Sequence, residues 1–423
     1  MNLTDIYNFI DIETSYANKK DFIDFNKVLS YMKIDIDKFN VIHVAGTNGK
    51  GSTSGFISSI LVEMGKNTGL FSSPHVSDYR ERIKFNNKKI SEEVFIEVVS
   101  DIIENYDSIK KIMDRKLNYF ELSFLIALIY FNKLNLDYIV IETGIGGRED
   151  ITNIFRQTKL SVITTISKDH TESLGNALED IASNKAGIIK ENSKVVSLKH
   201  SDEIDKVILA EAKNKNSLIC FLDIKDIEIL DENLFNTIFK IKEYSDYEFK
   251  LIILGRHQIV NAALAIKAVS LLENIDNLNI INKAISEFKL TGRMEKLHDN
   301  PTIIIDGAHN LEALNALYIS IKDIITKDDI LLFGCMKDKE NINELKKISE
   351  LFENIILTKA KYERAISPYE LKDNLNSNKN VYVELNSEDA LKRALQISSK
   401  DSRIICTGSF YLIGEIKEAI NKK

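Results

Sequence analysis

Residues 39–53 read FNVIHVAGTNGKGST, an apolar run that turns directly into a glycine-rich loop and then into small polar residues. The apolar part, Phe39 to Ala45, is bounded by turn residues and predicts a buried strand. Beyond the loop, Phe56, Ile57, Ile60, Leu61 and Met64 recur at helical spacing. They predict a helix from about Ser52 to Met64 with its apolar residues on one side and its end marked by Gly65. A strand, a glycine loop and a helix in this order form a phosphate cradle. Glycines let backbone N–H groups converge on oxygen, the helix start supplies partial positive charge, and Lys50 supplies a full one. The cradle comprises Gly46, Thr47, Asn48, Gly49, Lys50, Gly51, Ser52 and Thr53, and ATP is its natural occupant. The string departs from the Walker A form, because Val44 stands six residues before Lys50 where that form has glycine, and Gly51 separates Lys50 from Ser52.

Outward from this segment, the apolar runs Asp137 to Glu142 and Leu160 to Ile166 alternate with amphipathic stretches, as in a parallel sheet wrapped by crossover helices. A second alternating series begins late: Thr302 to Asp306, Ile330 to Gly334, Ile355 to Thr358, Val381 to Leu385 and Arg403 to Thr407. Five strands with four intervening helices make a self-sufficient doubly wound unit. The expected fold class is therefore α/β, with the junction near Gly292 to Asn300. Residues 1–295 are expected to form a P-loop ATP-binding domain with a mostly parallel sheet, and residues 296–423 a Rossmann-like domain. Between them, Asp202 to Ile253 carries short alternating runs (Cys220 to Leu222, Ile227 to Leu230, Phe239 to Ile241, Phe249 to Leu254) and reads as a small antiparallel β insertion.

The chain of 423 residues is 44% hydrophobic and 28% charged, which is globular composition, and its length predicts two or three folded units. The net charge of −7 argues against a surface that coats nucleic acid. No signal-peptide pattern opens the sequence, and the most apolar run, Phe124 to Phe131, is far too short to span a bilayer, so a cytoplasmic address without membrane attachment is expected. Three widely separated cysteines offer neither a disulfide framework nor metal-knuckle spacing, and read as core filler.

Further strings follow in order: GLFSSPHVSDYRERI (residues 69–83), YFE (119–121), IETGIGGREDITN (141–153), SKDHTESLG (167–175), KAGIIK (185–190), GRHQIVNA (255–262), TGRMEKL (291–297) and DGAHN (306–310). Together with the glycine loop, they resemble the folylpolyglutamate synthase/dihydrofolate synthase family of the Mur ligase superfamily over essentially the whole chain. Related peptidoglycan ligases carry an extra N-terminal domain, for which the 45 residues before Gly46 leave no room. The resemblance implies an ATP-dependent ligase of folate and one-carbon metabolism that joins L-glutamate to a folate, and to dihydropteroate in bifunctional members. An acyl phosphate would be its intermediate, since a carboxylate must be activated before an amine displaces its oxygen.

The same resemblance implies two Mg²⁺ ions with Ser73, Glu142 and His170 as metal ligands, although His170 is a soft ligand for so hard a cation. It further implies that Lys185 reacts with CO₂ to form an N6-carboxylysine, that Asn261 contacts adenine and that Arg293 contacts phosphate. Asp306 and His309 would complete the nucleotide end from the second domain. Pro74, His75 and Arg82 of the loop Ser72 to Arg82, with Phe120 and Asp150, would touch the pteroate. Lys50, Lys185, His170 and His309 form the expected catalytic set. A monomer is expected, since two domains around a cleft complete one site. Two alternatives stay open on the sequence: another amino-acid ligase of the superfamily, or a regulatory ATPase that forms no bond.

Overall fold

The computed structural model describes residues 1–14, 22–168, 175, 177–232, 236–252, 255–337, 340–375 and 378–422, apart from the side chains of 340–342 and 344. Two sheets organise the chain. The first has eight strands: β1 Val41–Ala45, β2 Thr68–Phe71, β3 Ile83–Phe85, β4 Lys88–Lys89, β5 Tyr138–Glu142, β6 Leu160–Ile163, β7 Lys194–Leu198 and β8 Leu218–Leu222. Their order is β4-β3-β2-β5-β1-β6-β7-β8. All pairings are parallel except those of β3 with β2 and with β4. β1 lies at the centre and is buried along its whole length, so the loop after it opens where strand order reverses, the place at which open α/β sheets bind ligands.

The helix after the loop spans Lys50–Glu63, but it is not one-sided. Ser52 through Leu61 are all buried, because the helix is covered by the sheet on one side and by the helices Arg256–Leu272 and Leu278–Glu287 on the other. Its small residues Ser52, Ser54, Gly55, Ser58 and Ser59 make that sandwich possible. A Cβ on Gly55 would stand 2.3 Å from the Phe288 ring.

The insertion differs from the sequence expectation. Asp202–Asn214 is a helix with three acidic residues in its first turn, and Leu218–Leu222 extends the main sheet as its parallel edge strand. The antiparallel part is confined to β9 Ile227–Glu232, β10 Thr237–Ile241 and β11 Phe249–Leu251.

The second sheet contains β12 Glu295–Asp299, β13 Thr302–Ile305, β14 Ile330–Phe333, β15 Asn354–Leu357, β16 Asn380–Val383 and β17 Arg403–Thr407, in the order β12-β13-β17-β14-β15-β16. The five expected strands are present. β12 is an additional antiparallel edge strand that the sequence reading passed over, since GRMEKLHD offers too little apolar alternation to signal it. Cys335 and Cys406 are buried, Cys220 is partly exposed, and all three are free thiols. No described helix is long and apolar enough to cross a membrane.

Candidate active site

The glycine loop closes on itself and on the strand ends around it. Gly49 caps the helix with φ +82°, a left-handed conformation that favours glycine, and a Cβ there would sit 2.4 Å from Asn261 Oδ1. Lys50 Nζ donates to the carbonyls of Gly46 and Thr47, both at 3.1 Å, which folds the ammonium over the loop. A cavity of about 150 Å³ lies there, lined by residues 46–51, Ser73, Pro74, Glu142, Lys185, Arg293 and His309. Thr53 faces away: it is buried, and its hydroxyl finds no partner among the described residues.

Glu142 ends β5 and is 3% exposed. Its Oε2 accepts the Ser73 N–H at 2.8 Å, and a Cβ on Gly51 would stand 3.3 Å from the same oxygen. Burial raises the Glu142 carboxyl above its usual range, against the pull of Lys50, the Ser73 N–H and Arg293. The side chain is thus a desolvated carboxylate beside a serine, opening onto a phosphate-sized cavity. That hard oxygen donor set suits Mg²⁺, which keeps several waters and takes few protein ligands. Among the described residues, no group of three or more His, Cys, Asp or Glu side chains forms an all-protein metal cage. His170 lies outside the described residues.

Lys185 sits in the last turn of the helix Leu178–Ala186, 3% exposed, and borders the same cavity. Arg293 lies at the junction of the sheets and borders three cavities. Its guanidinium stacks 4.5 Å over the Phe410 ring. Burial pulls the guanidinium below its usual value, while Asp306 and Glu142 hold it up.

On one side of the loop, a cavity of about 270 Å³ is walled by Leu198, Val260, Ala313 and Ala316, with Gln258 and Asn261 as buried polar groups. Asn261 Nδ2 donates to Gln258 Oε1 at 3.1 Å. Apolar walls with a few fixed amide groups suit a nucleobase. Asp306 ends the approach from β13, with Oδ2 accepting the Met294 N–H and Oδ1 the Ala308 N–H, both at 2.9 Å. The two domains are tied here through the loop itself: Asn48 donates to Glu312 and accepts from Asn310 Nδ2 at 3.1 Å, and Ser167 Oγ also donates to Glu312.

On the other side, a larger cavity of about 610 Å³ is bordered by Pro74, His75, Arg82, Tyr119, His309 and Tyr411. Arg82 is buried rather than solvated. Its Nε donates to His75 Nδ1 at 2.8 Å, and its guanidinium lies 5.2 Å over the Tyr119 ring. Burial and Arg82 together push the His75 ring down to about 3, so it stays neutral and accepts from Arg82. Across the gap, Tyr362 and Tyr411 stack at 4.2 Å and 14°. His309 Nδ1 bonds the Gly307 carbonyl at 2.9 Å. A carbonyl only accepts, so in the neutral ring that nitrogen carries the proton.

Known proteins resemble this chain along most of its length. Residues 44–269 match the family described as Mur ligase middle domain, and residues 292–410 match Mur ligase, glutamate ligase domain. The dihydrofolate synthase/folylpolyglutamate synthase of Bacillus subtilis is 31% identical over 90% of this chain and 91% of its own length. The chain belongs to the folylpolyglutamate synthase/dihydrofolate synthase family. It is accordingly an ATP-dependent carboxylate–amine ligase. Among solved structures, Escherichia coli FolC in complex with DHPP and ADP superposes with a TM-score of 0.86 at 25% identity, covering 100% of this chain and 98% of that one. Folylpolyglutamate synthase from Thermotoga maritima gives 0.85 at 28% identity, covering 99% and 96%.

Within this family member, the loop residues 46–51, Ser73, Glu142, Lys185, Arg293 and His309 converge on one cavity, while Ser52, Asn261 and Asp306 border the adjoining apolar-walled cavity. Pro74, His75 and Arg82 face the aromatic one. Phe120 and Asp150 stand behind the glycine turn at residue 144, where an added Cβ would meet Phe120 at 2.8 Å and Asp150 at 3.2 Å. Asp150 is buried with both oxygens engaged: Oδ2 takes the Ile145 N–H, and Oδ1 takes the N–H and hydroxyl of Thr152. As placed, it shapes the turn instead of reaching into the cleft. Sequence reasoning missed Tyr119, Glu312, Tyr362, Phe410 and Tyr411. The last two had a signal, because the string TGSFY follows the apolar run of β17, another strand end at the cleft.

Proposed function

We propose that this chain adds L-glutamate to the carboxylate of a reduced folate, and to that of dihydropteroate as a second acceptor. One observation carries the reading. A nucleobase-sized cavity and a larger aromatic cavity both adjoin the phosphate cavity, the first through Asn48, Gly49 and Arg293 and the second through Pro74, His309 and Phe410. The relative from Bacillus subtilis, which bears both synthase names, and the complex of FolC with DHPP and ADP support both acceptors.

In this reading, the phosphate loop and Lys50 seat the γ-phosphate, and Asn261 with Gln258 orients the base. Ser73 and Glu142 would hold Mg²⁺. When bound, the ion spreads the charge that builds up as two anions meet. The acceptor's carboxylate oxygen attacks the γ-phosphorus and ADP leaves, giving an acyl phosphate. The glutamate nitrogen then forms the amide as the C–O bond to phosphate breaks, and His309 Nε2 takes the proton the nitrogen sheds. Arg293, desolvated between both walls, faces the transferring phosphoryl group, where a preorganised cation acts most strongly. Lys185, buried at the cavity edge, is read as the N6-carboxylysine that supports a second Mg²⁺. A two-domain monomer divided at 295/296 and located in the cytoplasm completes the proposal.

The test is to incubate the enzyme with ATP, Mg²⁺, glutamate and either dihydropteroate or tetrahydrofolate. Phosphate release coupled to a glutamyl mass increment on each acceptor is expected. Release without a glutamylated product from either acceptor overturns the reading, and product from one alone removes the second acceptor.

A further inference from the structure

Three cavities around the phosphate loop are accounted for by base, phosphates and acyl acceptor. A fourth, of about 60 Å³, lies behind the Ser73 turn and is bordered by Ser72, Lys84, Lys289, Thr291, Gly51 and Arg293. We propose that it is an oxyanion subsite that takes inorganic phosphate, and the proposal rests on the ligase reading only for the source of that phosphate.

The cavity's cations come from three separate parts of the chain: Lys84 from β3, Lys289 from the segment after Leu278–Glu287, and Arg293 from the junction. Each of its two carboxylates already accepts a hydrogen bond. Glu81 accepts the Val76 N–H at 2.8 Å and the Ser77 hydroxyl at 3.0 Å, and Glu142 accepts the Ser73 N–H. Lys84 differs: its ammonium makes no hydrogen bond or ion pair with any described residue. Burial pulls its ammonium below the usual lysine value, with Lys417 adding to that pull and Glu81 opposing it. A half-buried ammonium at a cavity wall without a partner is costly to keep, and a bound anion offsets that cost.

Phosphate is the anion the reaction makes at this spot. When the acyl phosphate collapses, the C–O bond breaks and the electron pair leaves with the phosphate oxygen. ADP then blocks the way through the base cavity, and the new amide blocks the aromatic one. The fourth cavity shares Gly51, Ser73, Pro74, Glu142 and Arg293 with the phosphate cavity, so phosphate reaches it without passing either organic product. Its volume is about four to six times the 10–15 Å³ that one buried water needs, which suits a compact tetrahedral anion.

Inorganic phosphate is titrated calorimetrically into the full chain saturated with Mg²⁺ and β,γ-methylene-ATP, whose own phosphate fills the γ position. Binding that persists under the analogue, weakened at least about tenfold by Lys84→Met, about threefold by Lys289→Met and little by Lys84→Arg, is expected. Loss of all phosphate binding when the analogue is present overturns the proposal, as does wild-type affinity in Lys84→Met. The analogue's own isotherm reports whether each variant is folded, and Lys289→Met carries the test should Lys84→Met fail to fold. Because the titration needs no turnover, its failure is separate from absence of glutamylated product, which would overturn the ligase reading alone.

Discussion

Glu142 and Asp306 occupy equivalent places in the two domains. Each stands at the C-terminal end of a strand paired on both sides, each is at most 5% exposed, and burial raises each above the usual carboxylate range. Their neighbours separate them. Asp306 has a backbone donor on each oxygen, from Met294 and Ala308, so it fastens the turn after β13 to the junction that carries Arg293. Glu142 has one backbone donor, on one oxygen, and faces the phosphate cavity. Two carboxylates with similar burial therefore do different work: one is spent on the fold, and the other keeps acceptor capacity for what enters the cleft.

The largest effect expected from this contrast is at Glu142. Glu142→Gln keeps the volume and the Ser73 contact but removes the charge that a divalent ion needs, so kcat should fall by about 10³-fold. Raising Mg²⁺ should recover part of the loss. Steady-state assays over a magnesium series check this, and activity within tenfold of wild type would place the metal elsewhere.

This contrast was only half legible in the sequence. That Glu142 and Asp306 end strands follows from IETG and DGAHN after apolar runs. What the sequence hid is which partners fill their oxygens, because backbone N–H groups carry no side-chain signature. The contact between Asn48 and Glu312 joins residues 264 apart, and no local pattern announces such a pair. By contrast, the helix Asp202–Asn214 was readable: Ser201 precedes it, its first turn is acidic, and Ile204, Ile208 and Ala212 recur every fourth residue. The short strands flanking it pulled the reading toward an antiparallel insertion. The phosphate loop was the clearest element, since strand, glycines and lysine are all contiguous.

A smaller effect is expected at Asp306. Asp306→Asn turns one accepting oxygen into a donor facing a backbone N–H, leaving a buried clash of donors that costs about 1–3 kcal/mol. Stability in urea should fall by that amount. The KM for ATP should rise more than kcat falls, because the displaced junction carries Arg293 rather than a metal ligand. An unchanged urea midpoint would show that the two backbone bonds contribute nothing.

His43 extends the comparison to a carboxylate with no spare capacity at all. Its Nε2 lies 2.9 Å from Thr152 Oγ1, which in turn donates to Asp150 Oδ1 at 2.6 Å, and Asp150 holds the Ile145 N–H at the cavity edge. Since the threonine proton goes to Asp150, His43 Nε2–H is the donor and the ring is neutral. Complete burial, with Lys190 adding to it, pushes the ring down to about 3. The unfolded value is about 6.5, so between these limits the unfolded chain binds a proton that the folded chain does not. Stability therefore rises with pH across this window and is lost as pH falls below about 6.5. At pH 5 this ring costs about 2 kcal/mol relative to pH 7.5. His43→Gln keeps an N–H for Thr152 and has nothing to titrate. Its urea midpoint should decline less between pH 7.5 and pH 5 than that of the wild type, with the gap closing above pH 7. Parallel curves for the two proteins would mean that His43 is not held neutral, and that the chain from β1 through Asp150 to the turn at residue 145 is fastened by other contacts.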